Sequence, residues 1–309
     1  MEPRLIRLVA VGDNVVDCYP DLGVMYPGGN AVNVAVHARR TGAESGYLGA
    51  VGTDEAGRVV RDALAAEGVD LSLLRTVDGP NAAATVRLVA GERKFTGGRE
   101  GVSRFRLSPA DLVRLAAADI VHTGECSFLE GQLDELAAHA RRLSFDFSER
   151  PWEYVEAHAR HAGIAILSSP SGSRDEALAL ARRVRALGPA TVAVTLGAHG
   201  AVLVSEATEG AGIAGAAGGA GTGVGTGDRA GDVLAVAEDV VVWGAAEPVA
   251  VVDTLGAGDA FIARLLVGLA RGEDLPALAV AATAYASHAC TSYGAFGHEA
   301  PLPSTKETS

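Results

Sequence analysis

Short apolar runs recur along most of the chain. Leu5–Val11 (LIRLVAV), Tyr47–Val51, Ile120–His122, Leu143–Phe147, Ile164–Leu167 and Val192–Leu196 are too short for helices and read as buried strands. Between most of them lie helical stretches. Asn30–Arg40 (NAVNVAVHARR) ends near Gly42, and Arg58–Glu67 ends at Gly68, where glycine closes the helix. Strands alternating with helices predict an α/β fold: a mostly parallel central sheet with helices on both faces.

Two segments break this rhythm. Residues 14–27 and 82–104 carry strand-like pieces outside the alternation, and they predict a small antiparallel sheet over the edge of the main domain, a lid. Glu209–Gly231 is dominated by Gly and Ala, which predicts a flexible surface insertion over about residues 206–232. Gly225, Gly227 and Ala230 have GxGxxA spacing there. A dinucleotide fingerprint needs a strand before it and a helix after it, so this match reads as chance. Residues 1–309 otherwise read as a single domain.

Composition narrows the function. The chain has 309 residues, 48% hydrophobic and 21% charged, with a formal net charge of −12. A core of ordinary size follows, without need of disulfides. Only Lys94 and Lys306 are lysines and no tight arginine run appears beyond short pairs such as Arg39–Arg40 and Arg141–Arg142, which argues against nucleic acid as a partner. Cys18, Cys126 and Cys290 are odd in number and far apart, as expected in a reducing cytoplasm. The N-terminal apolar run is too short for a signal peptide and FIARLLVGLA too short to span a bilayer, so a cytoplasmic protein with no membrane partner is expected.

The chemistry concentrates at Val251–Gly268 (VVDTLGAGDAFIARLLVG). A β-prone segment ends at Asp253, small residues Gly256, Ala257 and Gly258 form a turn, and Asp259 opens an apolar helix. Free N–H groups at a helix start make an anion site, and a carboxylate beside it suits a base that deprotonates a hydroxyl attacking phosphate. An ordinary helix cap is the alternative for Asp259 alone. His158 and His161 share a helix face but lack the partners of a zinc site. Cys126 reads as a small buried residue, with a reactive thiol as the alternative.

DTLGAGD resembles the C-terminal signature of the ribokinase/PfkB family of carbohydrate kinases. Gly28-Gly29-Asn30-Ala31-Val32-Asn33-Val34-Ala35 is similar to that family's N-terminal GG-x-x-x-N-x-A signature, and the likeness runs from Leu5 to about Gly297 apart from the Gly/Ala tract. The resemblance implies a ribokinase-like three-layer α/β/α fold and an ATP-dependent sugar kinase. It implies Asp259 as catalytic base and Gly256, Ala257 and Gly258 as the anion hole. Asp17, Gly29, Asn30 and Asn33 match positions that hold sugar hydroxyls. Thr195, Gly197 and Gly200 lie in TLGAHG, similar to the family's nucleotide segment, and Arg150 in DFSER would approach phosphates or substrate. Glu125, just past a strand end, is carried as a substrate contact, with a solvated loop carboxylate as the alternative.

The N-x-x-E segment of many members is absent from Ser168–Ala177; Glu176 is its stand-in for a metal contact. Mg²⁺ is still expected on the phosphates, and a monovalent cation is compatible with the family. VGDNVVDCYPDL, REGV, IVH and SSP look most like the fructoselysine 6-kinase branch. That implies a fructosamine phosphorylated at its 6-hydroxyl, and Asp13, Asp17 and Glu125 suit an amine-bearing substrate. A ribokinase, fructokinase or 2-keto-3-deoxygluconate kinase is the alternative within the family; a non-catalytic sugar or nucleotide sensor is the alternative outside enzymes. Exposed lid edges add a homodimer as an expected partner.

Overall fold

The computed structural model describes residues 5–89, 92–206, 233–236 and 239–303; the Gly/Ala tract with Gly225, Gly227 and Ala230 lies outside them. Nine strands form the main sheet in the order Val233–Val236, Asp239–Gly244, Ala201–Glu206, Thr191–Thr195, Ile164–Ser168, Leu143–Asp146, Ile120–Gly124, Arg7–Val11, Glu44–Leu48. The last six in that order pair parallel, while the first three join as antiparallel ribbons.

The apolar runs are continuous because the sheet is buried on both faces. Leu8, Ala10, Ile164 and Ile166 pack with the helices Asn30–Arg40, Glu55–Ala66, Ala257–Arg271 and Leu275–Ala289. Val9, Val11, Ala165 and Leu167 point the other way, toward Pro109–Leu115, Leu133–His139, Trp152–His158 and Arg174–Arg185. Alternate residues of the same strands thus feed two cores, giving three layers, α/β/α. No helix among the described residues is long and apolar enough to cross a membrane.

A second sheet forms the lid, in the order Ala300–Pro301, Val24–Gly28, Val15–Tyr19, Ala83–Val89, Glu92–Arg99. It departs from a purely antiparallel sheet, because Val15–Tyr19 runs parallel to Ala83–Val89. The predicted strand Tyr47–Val51 is also two strands. Glu44–Leu48 edges the main sheet, whereas Ala50–Gly52 pairs with Arg75–Val77.

Two further differences concern the Val251–Gly268 segment. No strand precedes Asp253: Val251 and Val252 are exposed, and the Val252 and Asp253 amides both donate to Cys290 O. The helix starts at Ala257 with Gly256 as its cap, so Asp259 sits within the first turn instead of opening it.

Candidate active site

Open α/β sheets bind ligands at the carboxyl ends of their strands. Four acidic side chains gather there. Asp13 follows Arg7–Val11, Glu125 follows Ile120–Gly124, Asp146 ends Leu143–Asp146, and Asp259 arrives on the helix Ala257–Arg271.

Asp13 caps the helix Asn30–Arg40 from outside. Its Oδ2 accepts from the Asn30 amide at 2.8 Å and its Oδ1 from Ala31 at 3.3 Å and Ser127 Oγ at 3.2 Å. Gly29 permits this approach: a Cβ there would lie 2.9 Å from Asp13 Oδ2 and 2.8 Å from Asn14 Cα. The helix N-terminus is therefore closed by protein.

That helix delivers two amides to Asp259. Asn30 Nδ2 donates to Asp259 Oδ1 and Asn33 Nδ2 to Asp259 Oδ2, both at 2.7 Å. One acceptor position on each oxygen is filled and the carboxylate plane is fixed. Burial pushes Asp259 up to about 7, with the Asp146 charge adding to the shift and the Asn33 and Asn30 amides opposing it. Asp146, held by Asn30 Nδ2 at 2.9 Å, is likewise pushed up to about 7, chiefly by burial.

The other predicted residues sort into distinct places. Asn33 is buried, not on a solvated face, and its Oδ1 has no hydrogen-bond partner among the described residues. Asp17 is buried on a lid strand, its Oδ2 only 2.6 Å from where a Gly28 Cβ would stand. The site thus has a lid carboxylate above and an open amide acceptor beside the Asp259 carboxylate.

Gly256 has φ 74°, a left-handed conformation, and packs on Ala295. The Ala257 amide already donates to Thr254 O at 3.3 Å, whereas those of Gly258 and Asp259 have no backbone partner among the described residues. A Cβ on Gly258 would meet nothing within 4 Å. Free N–H groups, the positive end of a helix and open space coincide at Gly258. Asp253 braces this turn: its Oδ1 accepts from Leu255 N at 2.9 Å, and its Oδ2 from Gly294 N at 3.1 Å and the lid's Tyr19 hydroxyl at 3.2 Å.

Thr195 ends its strand, with Oγ1 3.1 Å from Ser168 Oγ. Gly197 is exposed with open space at its Cα, but Gly200 is buried against the Gly244 backbone and shapes the turn. Arg150 does not stand free for phosphate; its Nε and Nη2 hold Glu125 Oε2 at 2.8 and 2.7 Å. Glu125 therefore carries an ion pair, and a plain solvated carboxylate is not what the structure shows. Glu176 is exposed on the first turn of Arg174–Arg185. The described residues hold no group of three or more His, Cys, Asp or Glu suited to a metal. Cys126 is exposed, not a buried filler, and desolvation with nearby carboxylates pushes its thiol up, away from reactivity.

Sequence reasoning missed His122, Ser144 and Asp146 as site residues. They lie on adjacent strands, and only their register, His122 beside Ser144 and Asp146 beside Gly124, brings them to Asn30.

Residues 5–147 and 229–300 match the model of the pfkB family carbohydrate kinases. The chain belongs to this family. It is 35% identical to fructosamine kinase FrlD of Bacillus subtilis (strain 168) over 302 residues, covering 96% of this chain and 95% of the relative. It is 36% identical to fructoselysine 6-kinase of Shigella flexneri over 294 residues, 94% and 99% of the two chains. Among solved structures, aminoimidazole riboside kinase of Salmonella enterica, complexed with aminoimidazole riboside and an ATP analog, superposes with a TM-score of 0.68 at 25% identity, covering 94% and 95%. The protein is thus an ATP-dependent sugar kinase on a ribokinase-like fold.

Proposed function

We propose that this pfkB-family kinase transfers the γ-phosphoryl group of ATP to the 6-hydroxyl of a fructosamine, with fructoselysine as the preferred acceptor. The observation that carries the chemistry is the Asp259 carboxylate, oriented by Asn30 and Asn33 one residue from the open space at Gly258. The acceptor hydroxyl loses its proton to Asp259 as its oxygen attacks the γ-phosphorus, and ADP leaves. The Gly258 and Asp259 amides stabilise charge on the transferring group. Asn33 Oδ1 is an acceptor for a sugar hydroxyl, since a buried acceptor without a partner among the described residues is costly until a ligand supplies the donor, and the buried Asp17 carboxylate is the second acceptor, on the lid strand.

Thr195 and Gly197 border the nucleotide side, and Gly200 holds that turn. Magnesium would reach the site on the nucleotide phosphates with its waters, because no protein cage for it exists among the described residues. Glu176, exposed on its helix, is assigned no step.

Two observations favour a fructosamine. The two relatives so named align over nearly their whole length. Asp13 and Asp146 also place negative charge beside Asp259, whereas the Glu125 charge is already paired with Arg150. That field suits an acceptor bearing an ammonium group. The test is ADP release with Mg·ATP across fructoselysine, glucoselysine, fructose, ribose and 2-keto-3-deoxygluconate. The highest kcat/KM is expected for fructoselysine, with phosphate on its 6-oxygen. A higher value for a plain sugar would overturn the acceptor assignment and leave the kinase.

A further inference from the structure

His122 lies in the middle layer of the fold, fully buried on the strand Ile120–Gly124. Its Nε2 is 3.1 Å from Asn30 Oδ1 and its Nδ1 is 3.1 Å from Ser144 Oγ on the neighbouring strand. The proton positions follow from the partners of Asn30. Asn30 faces Asp146 Oδ2 at 2.9 Å and Asp259 Oδ1 at 2.7 Å with one end of its amide. The ionised Asp259 base can only accept, so that end is the NH₂ group. The carbonyl end then faces His122, whose Nε2 must carry the hydrogen, and Nδ1 accepts from the Ser144 hydroxyl.

We propose that His122 is a positioning residue for phosphoryl transfer: its Nε2–H locks the Asn30 amide in the one orientation that presents NH₂ to the Asp259 base. This rests on the assignment of Asp259 as base.

Flipping Asn30 would set its carbonyl oxygen against two carboxylate oxygens and disarm Asp259's orientation. With an apolar residue at 122, the Asn30 carbonyl would lose its hydrogen-bond donor among the described residues and the amide its anchor. The packing is close on the remaining side, where a Cβ on Gly124 would stand 2.7 Å from Asn30 Oδ1. Burial pushes His122 down to about 3, so it serves as a neutral donor throughout the working range. A misoriented base costs turnover more than binding.

The test combines spectroscopy with kinetics on the full-length enzyme. Imidazole ¹⁵N shifts of the wild type should show a protonated Nε2 and an unprotonated Nδ1 on His122. His122→Leu should lower kcat about tenfold or more with KM for ATP unchanged. His122→Gln, whose amide N–H reaches the same place, should recover most of the loss. An imidazole protonated on Nδ1, or a folded His122→Leu enzyme with wild-type kcat, would overturn the lock. Should His122→Leu fail to fold, a His122→Gln enzyme as slow as an Asn30→Ala enzyme would do the same. A wild-type protein that phosphorylates no acceptor would instead remove the base, and with it the role of His122.

Discussion

Asp146 and Asp259 accept hydrogen bonds from one and the same nitrogen, Asn30 Nδ2, at 2.9 and 2.7 Å. Two carboxylates bridged by one NH₂ group feel each other's charge, and the ionisation of one holds up the proton affinity of the other.

The pH dependence follows with a definite sign. A base must be ionised, and Asp259 is pushed up to about 7, so kcat/KM should fall as pH drops below neutrality. Asp146→Asn keeps an acceptor for Asn30 but removes a charge that raises Asp259. The acidic limb of the profile should therefore move to lower pH. A limb that stays in place or moves upward would show that Asp146 does not tune the base.

The glycines at the helix start should separate by role. Gly258→Ala adds a methyl to open space, so thermal stability should hold while kcat falls about tenfold or more through crowding of the phosphoryl group. Gly256→Ala faces φ 74° and Ala295, and should lose about 1–3 kcal/mol of stability. Thermal melts beside turnover measurements check both. A Gly258→Ala enzyme of normal activity would place the phosphoryl group elsewhere.

These elements were legible to different depths. DTLGAGD and GGNAVNVA could be read because each is contiguous and begins a helix, so local order already places its residues. The alternation of strand and helix likewise announced the parallel sheet. His122, Ser144 and Asp146 were not legible as a group, because their meeting depends on the register of separate strands. Val251 and Val252 looked like a strand from their branched side chains, yet they are exposed and Cys290 O captures the local amides. The parallel pairing within the lid was hidden because Val15–Tyr19 and Ala83–Val89 lie far apart in sequence. Asp13 also serves as the external cap of the helix that carries both amides, through bonds to the Asn30 and Ala31 amides that join separate segments and so leave no local signal.

The expected homodimer would pair through an edge of the lid sheet. Glu92–Arg99 is an outer strand of its sheet, and Phe95 on it is 63% exposed. Two copies pairing at this edge would form a homodimer. Light scattering at micromolar concentration should report twice the chain mass, and Phe95→Lys should return the monomer. A strict monomer in the wild type contradicts the pairing.

Asp259→Asn bears most directly on the central claim. Asparagine fills the same volume but cannot take the proton, and it removes a charge whose burial raises its proton affinity in the folded state. A raised carboxyl contributes stability that is lost as pH rises toward about 7, so any stability advantage of wild type over the variant should shrink as pH rises to 8. Single-turnover phosphoryl transfer to the preferred acceptor should fall by about 10²–10⁴-fold, with ATP binding unchanged. A folded, ATP-binding Asp259→Asn enzyme that transfers phosphate at the wild-type rate would contradict the assignment of Asp259 as the base.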